Sequence, residues 1–287
     1  MKNFFKQTGK AICYIGLFAG MQLLAVLIFS NIYSRQLEAR IAAGEQISEL
    51  EMLEGINIFI FENTGWMVVL YGLMTLFFVW FIFAVQKKKV LKETGIVAFS
   101  GKMILPIILL AVSSVLVIQC AFELLPIPEE MLLEYEESIV GMMGGSIISI
   151  LFANVIMAPV VEEVIFRGLV LSRLRKAMPT ALAVTITSIA FGLFHGQILW
   201  ICYATLLGIM MSFVAINCKS VLASMLYHVV FNFFGSFPIF GLFFGNSRMT
   251  LAILQVVSLA AVAAIIYCMV KLLYCQKQDN QEREKKL

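Results

Sequence analysis

The only two histidines of the chain, His195 and His228, and the adjacent pair Glu162 and Glu163 lie within long apolar runs. An ionisable side chain at membrane depth is costly and persists where it faces a bundle interior or a wet cavity, so each of these residues marks a functional site. The strings are Val161-Glu162-Glu163-Val164-Ile165-Phe166-Arg167, Phe191-Gly192-Leu193-Phe194-His195 and His228-Val229-Val230-Phe231-Asn232. They read as one buried polar site assembled from three helices.

Helical spacing assigns chemistry to individual residues. Positions four apart share a face, whereas neighbours diverge by about 100°. Glu163 can therefore pair with Arg167, a structural role, while Glu162 points elsewhere and is the candidate general base. Pro159 lacks an amide hydrogen and is expected to kink the helix just before the glutamates, opening backbone polar groups and room for water beside Glu162. His228 and Asn232 are also four apart, and both suit donation to a carbonyl oxygen as it becomes tetrahedral. His195 shares a face with Phe191 and could hold the same water as Glu162. At about 1.5 Å per residue, Glu162 and His195 stand roughly 20 Å and His228 roughly 14 Å above the inner helix ends, levels that a tilt near 20° reconciles.

Other chemistries fit less well. No H-E-x-x-H and no G-x-S-x-G string occurs. Ser224 lies four before His228, but a serine at that spacing is ordinarily a packing residue. Glu162, His195 and His228 would suffice for a zinc site with an open fourth position, so metal dependence stays open. The bland alternative is that the whole cluster glues helices together through interhelical hydrogen bonds.

The elements that must position these residues are membrane helices. With 61% apolar and 14% charged residues, the chain is an all-α polytopic bundle rather than a water-soluble globule. Eight segments qualify: Ala11 to Ser30, Trp66 to Gln86, Met103 to Ala121, Ser146 to Phe166, Ala181 to His195, Ile198 to Asn217, Val221 to Gly235 and Thr250 to Val270. The fifth and seventh are short for a full crossing, which leaves seven spans as the alternative count. One integral membrane domain over 1–287 is expected, with its catalytic core within 140–240. The first segment, preceded by Lys2, Lys6 and Lys10, exceeds a signal-peptide apolar region and reads as an uncleaved anchor.

Cytoplasmic loops are enriched in Lys and Arg. An even number of spans starting inside puts all of them there except Arg35, Arg40 and Arg248, so both termini are expected in the cytoplasm of a plasma-membrane protein. The net charge of +3 with basic residues flanking the spans fits anionic lipid and not nucleic acid. Cys13, Cys120, Cys202, Cys218, Cys268 and Cys275 form no C-x-x-C pair and read as small apolar fillers. Two outer segments, Asn31 to Gly65 and Phe122 to Gly145, carry the acidic charge as solvated faces. In the first, Leu37, Ile41, Ile47, Leu50 and Leu53 predict an amphipathic helix lying on the outer surface. The polar tail from Gln276 to Leu287 is expected to fray.

The ordered triple E-E-x-x-x-R, F-x-x-x-H, H-x-x-x-N, here Glu162, Glu163, Arg167, then Phe191, His195, then His228, Asn232, resembles the CPBP family of CAAX proteases and bacteriocin-processing enzymes. The resemblance covers roughly residues 140 to 240. It implies an eight-span intramembrane endopeptidase whose cavity opens toward the cytoplasm and lipid, with Glu162 and His195 activating water and His228 and Asn232 stabilising the oxyanion. Its members include enzymes that trim prenylated C-termini and others tied to bacteriocin self-immunity, and a membrane-associated peptide or protein is the expected substrate. The competing class is a non-enzymatic immunity, transport or scaffolding protein that keeps the polar cluster for helix association or ion movement.

Overall fold

Each of the eight predicted segments is helical in the computed structural model, which describes residues 1–236 and 247–285, with side chains through residue 274. The elements are α1 (Lys2–Ala42), α2 (Glu49–Val85), the short α3 (Val90–Glu93), α4 (Ile104–Leu124), α5 (Glu129–Met142), α6 (Ile147–Leu174), α7 (Thr180–Leu193), α8 (Ile198–Asn217), α9 (Val221–Gly235) and α10 (Arg248–Lys285). No strand occurs among the described residues. Six helices are long and apolar enough to cross a bilayer, namely α1, α2, α4, α6, α8 and α10, with α4 preceded by a turn from Gly101. α7 and α9, with 14 and 15 residues, are apolar and shorter. At about 1.5 Å per residue they reach roughly 21–23 Å against a hydrocarbon core of about 30 Å.

Backbone and side-chain ties divide the bundle into two ends. At one end Asn3 donates to the Lys176 carbonyl, Arg173 pairs with Glu93, the Val221 amide donates to the Gly95 carbonyl and Ser220 donates to the Val97 carbonyl. This end holds the lysine-rich turns. At the other, Gln197 donates to the Met131 carbonyl and Thr64 to that of Gly141, joining the acid-rich α5 to the tops of α2 and α8.

The surface helix expected between the first two spans is not present. α1 instead continues to Ala42 and α2 begins at Glu49, so the near-helical apolar spacing is shared between two long rods. Gly44 interrupts it at φ +91°, a left-handed conformation that a side chain disfavours, and Ser48 with Glu51 forms a reciprocal capping box that starts α2. Ile41, Leu50 and Leu53 consequently remain exposed. The tail expected to fray continues α10 as helix to Lys285, while Lys286 and Leu287 lie outside the described residues.

The core gathers on α6. Phe166 packs edge-on against Phe18 of α1 and Phe191 of α7 at 5.8 and 5.3 Å between ring centroids. On the far side, Tyr227 of α9 donates to Ser114 Oγ of α4 at 2.7 Å. A buried hydroxyl needs such a partner, and this one fixes α9 laterally.

Candidate active site

α6 is not a regular α-helix. It opens into π-helix over Phe152–Met157, returns to α over Ala158–Glu162 and opens again over Glu163–Leu171. The expected kink at Pro159 thus takes the form of widened turns on both sides of it. In π spacing the Asn154 carbonyl would pair with the amide of residue 159, which as Pro has none. Asn232 of α9 fills the vacancy, its Nδ2 donating to the Asn154 oxygen at 2.8 Å. One strongly polar tie between α6 and α9 therefore follows from a missing backbone hydrogen.

Glu163 and Arg167 pair as their spacing predicts, Arg167 Nη1 to Glu163 Oε1 at 2.7 Å with neither side chain accessible to solvent. Burying two charges requires satisfying their remaining hydrogen-bonding capacity. Arg167 Nη2 donates to the Gly208 carbonyl of α8 at 3.1 Å, and its guanidinium lies 4.4 Å from the centroid of the Phe191 ring. Gly208 also lets α8 pack closely on α7, because a Cβ there would stand 2.9 Å from Ser188 Cβ.

The same Glu163 oxygen receives a second donor. His228 Nδ1 lies 3.2 Å from Glu163 Oε1, and its Nε2 lies 3.8 Å from Glu162 Oε2. A carboxylate accepts, so Nδ1 carries the hydrogen, and Nε2 faces Glu162. The remaining 3.8 Å is too long for a direct hydrogen bond and suits one bridging water. The nitrogen found against Glu162 thus belongs to His228.

His195 stands just beyond the C-terminus of α7, its Nδ1 3.2 Å from the Phe191 carbonyl, which leaves Nε2 as the acceptor of a neutral ring. Its ring is 5.0 Å from Phe191, which in turn is 5.8 Å from the His228 ring. Phe191 is thus the common wall between the two imidazoles and Arg167. His195 also lines a hollow of about 500 Å³ together with Gly196, Gln197 and Glu134, Glu137 and Ser138 of α5. That hollow is at the acid-rich end, opposite the lysine-rich turns. An opening toward the cytoplasm therefore does not go together with the orientation drawn from charge.

Ser224 is buried and donates to the Val221 carbonyl, which is the packing role. Among the described residues, no group of three or more His, Cys, Asp and Glu side chains is arranged to hold a metal ion. Glu162, His195 and His228 are not gathered into the three-ligand set that a zinc site needs.

Sequence reading missed the two backbone acceptors, at Asn154 and Gly208. Each had a signal: a lone amide residue eight positions before Glu162, and a glycine in the middle of an apolar helix. It also missed Tyr71 of α2, a half-buried phenol whose electrostatic neighbour is Glu162 and whose hydroxyl meets Gln22 of α1.

Residues 144–234 match the family described as type II CAAX prenyl endopeptidase Rce1-like, a stretch that holds both widened turns of α6 and every residue of the three motifs. No match was found among curated proteins or solved structures. The segment that carries Glu162, Glu163, Arg167, Phe191, His195, His228 and Asn232 is thus similar to the type II CAAX prenyl endopeptidase Rce1-like family.

Proposed function

We propose that the protein is an intramembrane endopeptidase that hydrolyses peptide bonds near the C-terminus of membrane-associated proteins or peptides, prenylated CAAX-type substrates among them. The observation that carries this reading is the His228 imidazole set between two glutamates, held by Glu163 on one nitrogen and facing Glu162 with the other. The similarity of residues 144–234 to the type II CAAX prenyl endopeptidase Rce1-like family supports it.

In this mechanism a water donates one hydrogen bond to Glu162 Oε2 and the other to His228 Nε2. Glu162 takes its proton as the water oxygen bonds to the scissile carbonyl carbon, giving a tetrahedral oxyanion. Glu162 then returns the proton to the amide nitrogen, the C–N bond breaks, and a carboxylic acid, which keeps the water's second proton, and an amine leave. Asn232 spends one amide hydrogen on Asn154 and has a second for the oxyanion. His195, on the wall of the hollow, contacts the substrate chain beside the scissile bond. Glu163 and Arg167 position His228 and take no proton.

The test is a C-terminal proteomic comparison of cells carrying the native protein or Glu162→Ala, each with and without a chelator. New C-termini that depend on Glu162 and persist under chelation are expected. Identical C-termini in both cells would defeat the reading and favour a helix-association or ion-conducting role for the polar cluster.

A further inference from the structure

The hollow beside His195 has one wall that the peptidase mechanism leaves unused. Glu134, Glu137 and Ser138 stand three and four residues apart on α5, which puts them on one face of that helix, toward the turn at His195 and Gln197. Both carboxylates are exposed, and neither has an ion-pair or hydrogen-bond partner among the described residues. The donors around them are spent elsewhere: Ser138 Oγ on the Glu134 carbonyl at 2.8 Å, Gln197 Nε2 on the Met131 carbonyl at 3.2 Å, and His195 Nδ1 on the Phe191 carbonyl at 3.2 Å. Two like charges one turn apart repel, so the wall presents acceptors that lack a cation. It is also preformed. Tyr135 on the same helix stacks on Phe122 of α4 at 4.8 Å and meets Trp200 of α8 edge-on at 6.3 Å, while Trp200 lies 5.2 Å from the His195 ring. α5 is thereby held against the side of the bundle that carries His195 before any ligand arrives, which lowers the ordering cost of binding.

We propose that this wall selects the substrate: a peptide with a lysine or arginine side chain beside the scissile bond, its ammonium or guanidinium group set between Glu134 and Glu137. The inference rests on the peptidase reading only in placing the scissile bond next to His195. A cavity of about 500 Å³ admits a long side chain. Among the described residues, His195, Glu134 and Glu137 are not gathered closely enough to share one metal ion. That favours an extended cation, which reaches from a peptide backbone near His195 to the carboxylates and donates to them. Because both carboxylates are exposed, their contribution is selectivity that falls with salt rather than a large gain in affinity.

The test uses the full chain in phosphatidylcholine liposomes with farnesylated C-terminal peptides that carry lysine, norleucine or glutamate in turn at each position around the prenylated cysteine. Cleavage is read as kcat/KM. Binding of the same peptides to Glu162→Gln in detergent is read by fluorescence anisotropy, so that a failure of the chemistry and a failure of the hollow are told apart. The native protein is expected to prefer lysine over norleucine by about tenfold at one placement, mostly through KM, with glutamate lowest. Glu134→Gln with Glu137→Gln should abolish the lysine preference, and Glu134→Lys with Glu137→Lys should invert it in favour of glutamate. Glu129→Gln with Glu130→Gln, at the start of α5 and outside the hollow, should keep the native preference. Charge-selective binding without cleavage would support the hollow and defeat the peptidase reading. Equal binding of lysine and norleucine peptides at every placement, or a preference that survives the paired substitutions at Glu134 and Glu137, would overturn the proposal.

Discussion

His228 Nδ1 and Glu163 Oε1 are 3.2 Å apart, on the very oxygen that Arg167 reaches at 2.7 Å. A single buried carboxylate oxygen thus fixes an ion pair and an imidazole together, while Glu163 Oε2 has no partner among the described residues. Stability and chemistry are joined at one atom, and they should be separable by mutation.

Removing either partner of the buried pair leaves an uncompensated charge. Glu163→Leu or Arg167→Leu should each destabilise by about 3–5 kcal/mol, whereas the double change restores much of the loss. The double variant should still be inactive, because His228 has lost its acceptor. Thermal unfolding in detergent alongside peptide cleavage reads both effects. Recovery of activity with stability would mean that Glu163 does not orient His228.

Asn232→Leu should lower kcat by about 10²–10³-fold with little change in KM, the behaviour of a lost oxyanion donor. A loss confined to KM would place Asn232 in ground-state binding instead.

Pro159→Ala returns an amide hydrogen to α6 at the position that π spacing pairs with the Asn154 carbonyl. The new donor competes with Asn232 for that oxygen. Thermal stability should hold or rise while kcat falls, and an unchanged kcat would show that Asn232 needs no anchor.

The position of the hollow gives a topological prediction. In a background without the native cysteines, Glu137→Cys should react with a membrane-impermeant maleimide added to intact cells, and Lys176→Cys only after lysis. The reverse pattern would overturn the orientation inferred from lysine and arginine placement.

The sequence made the helices and the cluster legible to different depths. Apolar runs located the eight apolar helices because membrane burial imposes a long, uniform signal. The spacing of Glu163 with Arg167 foretold their pairing, a local consequence of helix geometry. The partner of Glu162 was not legible, since a contact between α6 and α9 depends on how two helices rotate and tilt. Nor were the Asn154 and Gly208 carbonyls, backbone acceptors whose only traces in the sequence are a lone amide residue and a glycine within an apolar helix. The extended α1–α2 hairpin was misread because one turn at Gly44 divides a periodicity that looks continuous.

The most direct measurement is cleavage of a farnesylated C-terminal peptide by purified protein in liposomes, native against Glu162→Gln, with both variants shown to unfold at the same temperature. Glu162→Gln should slow product formation by about 10²–10⁴-fold, the range for loss of a general base. Equal rates from the two proteins would contradict the assignment of Glu162 as the group that activates water.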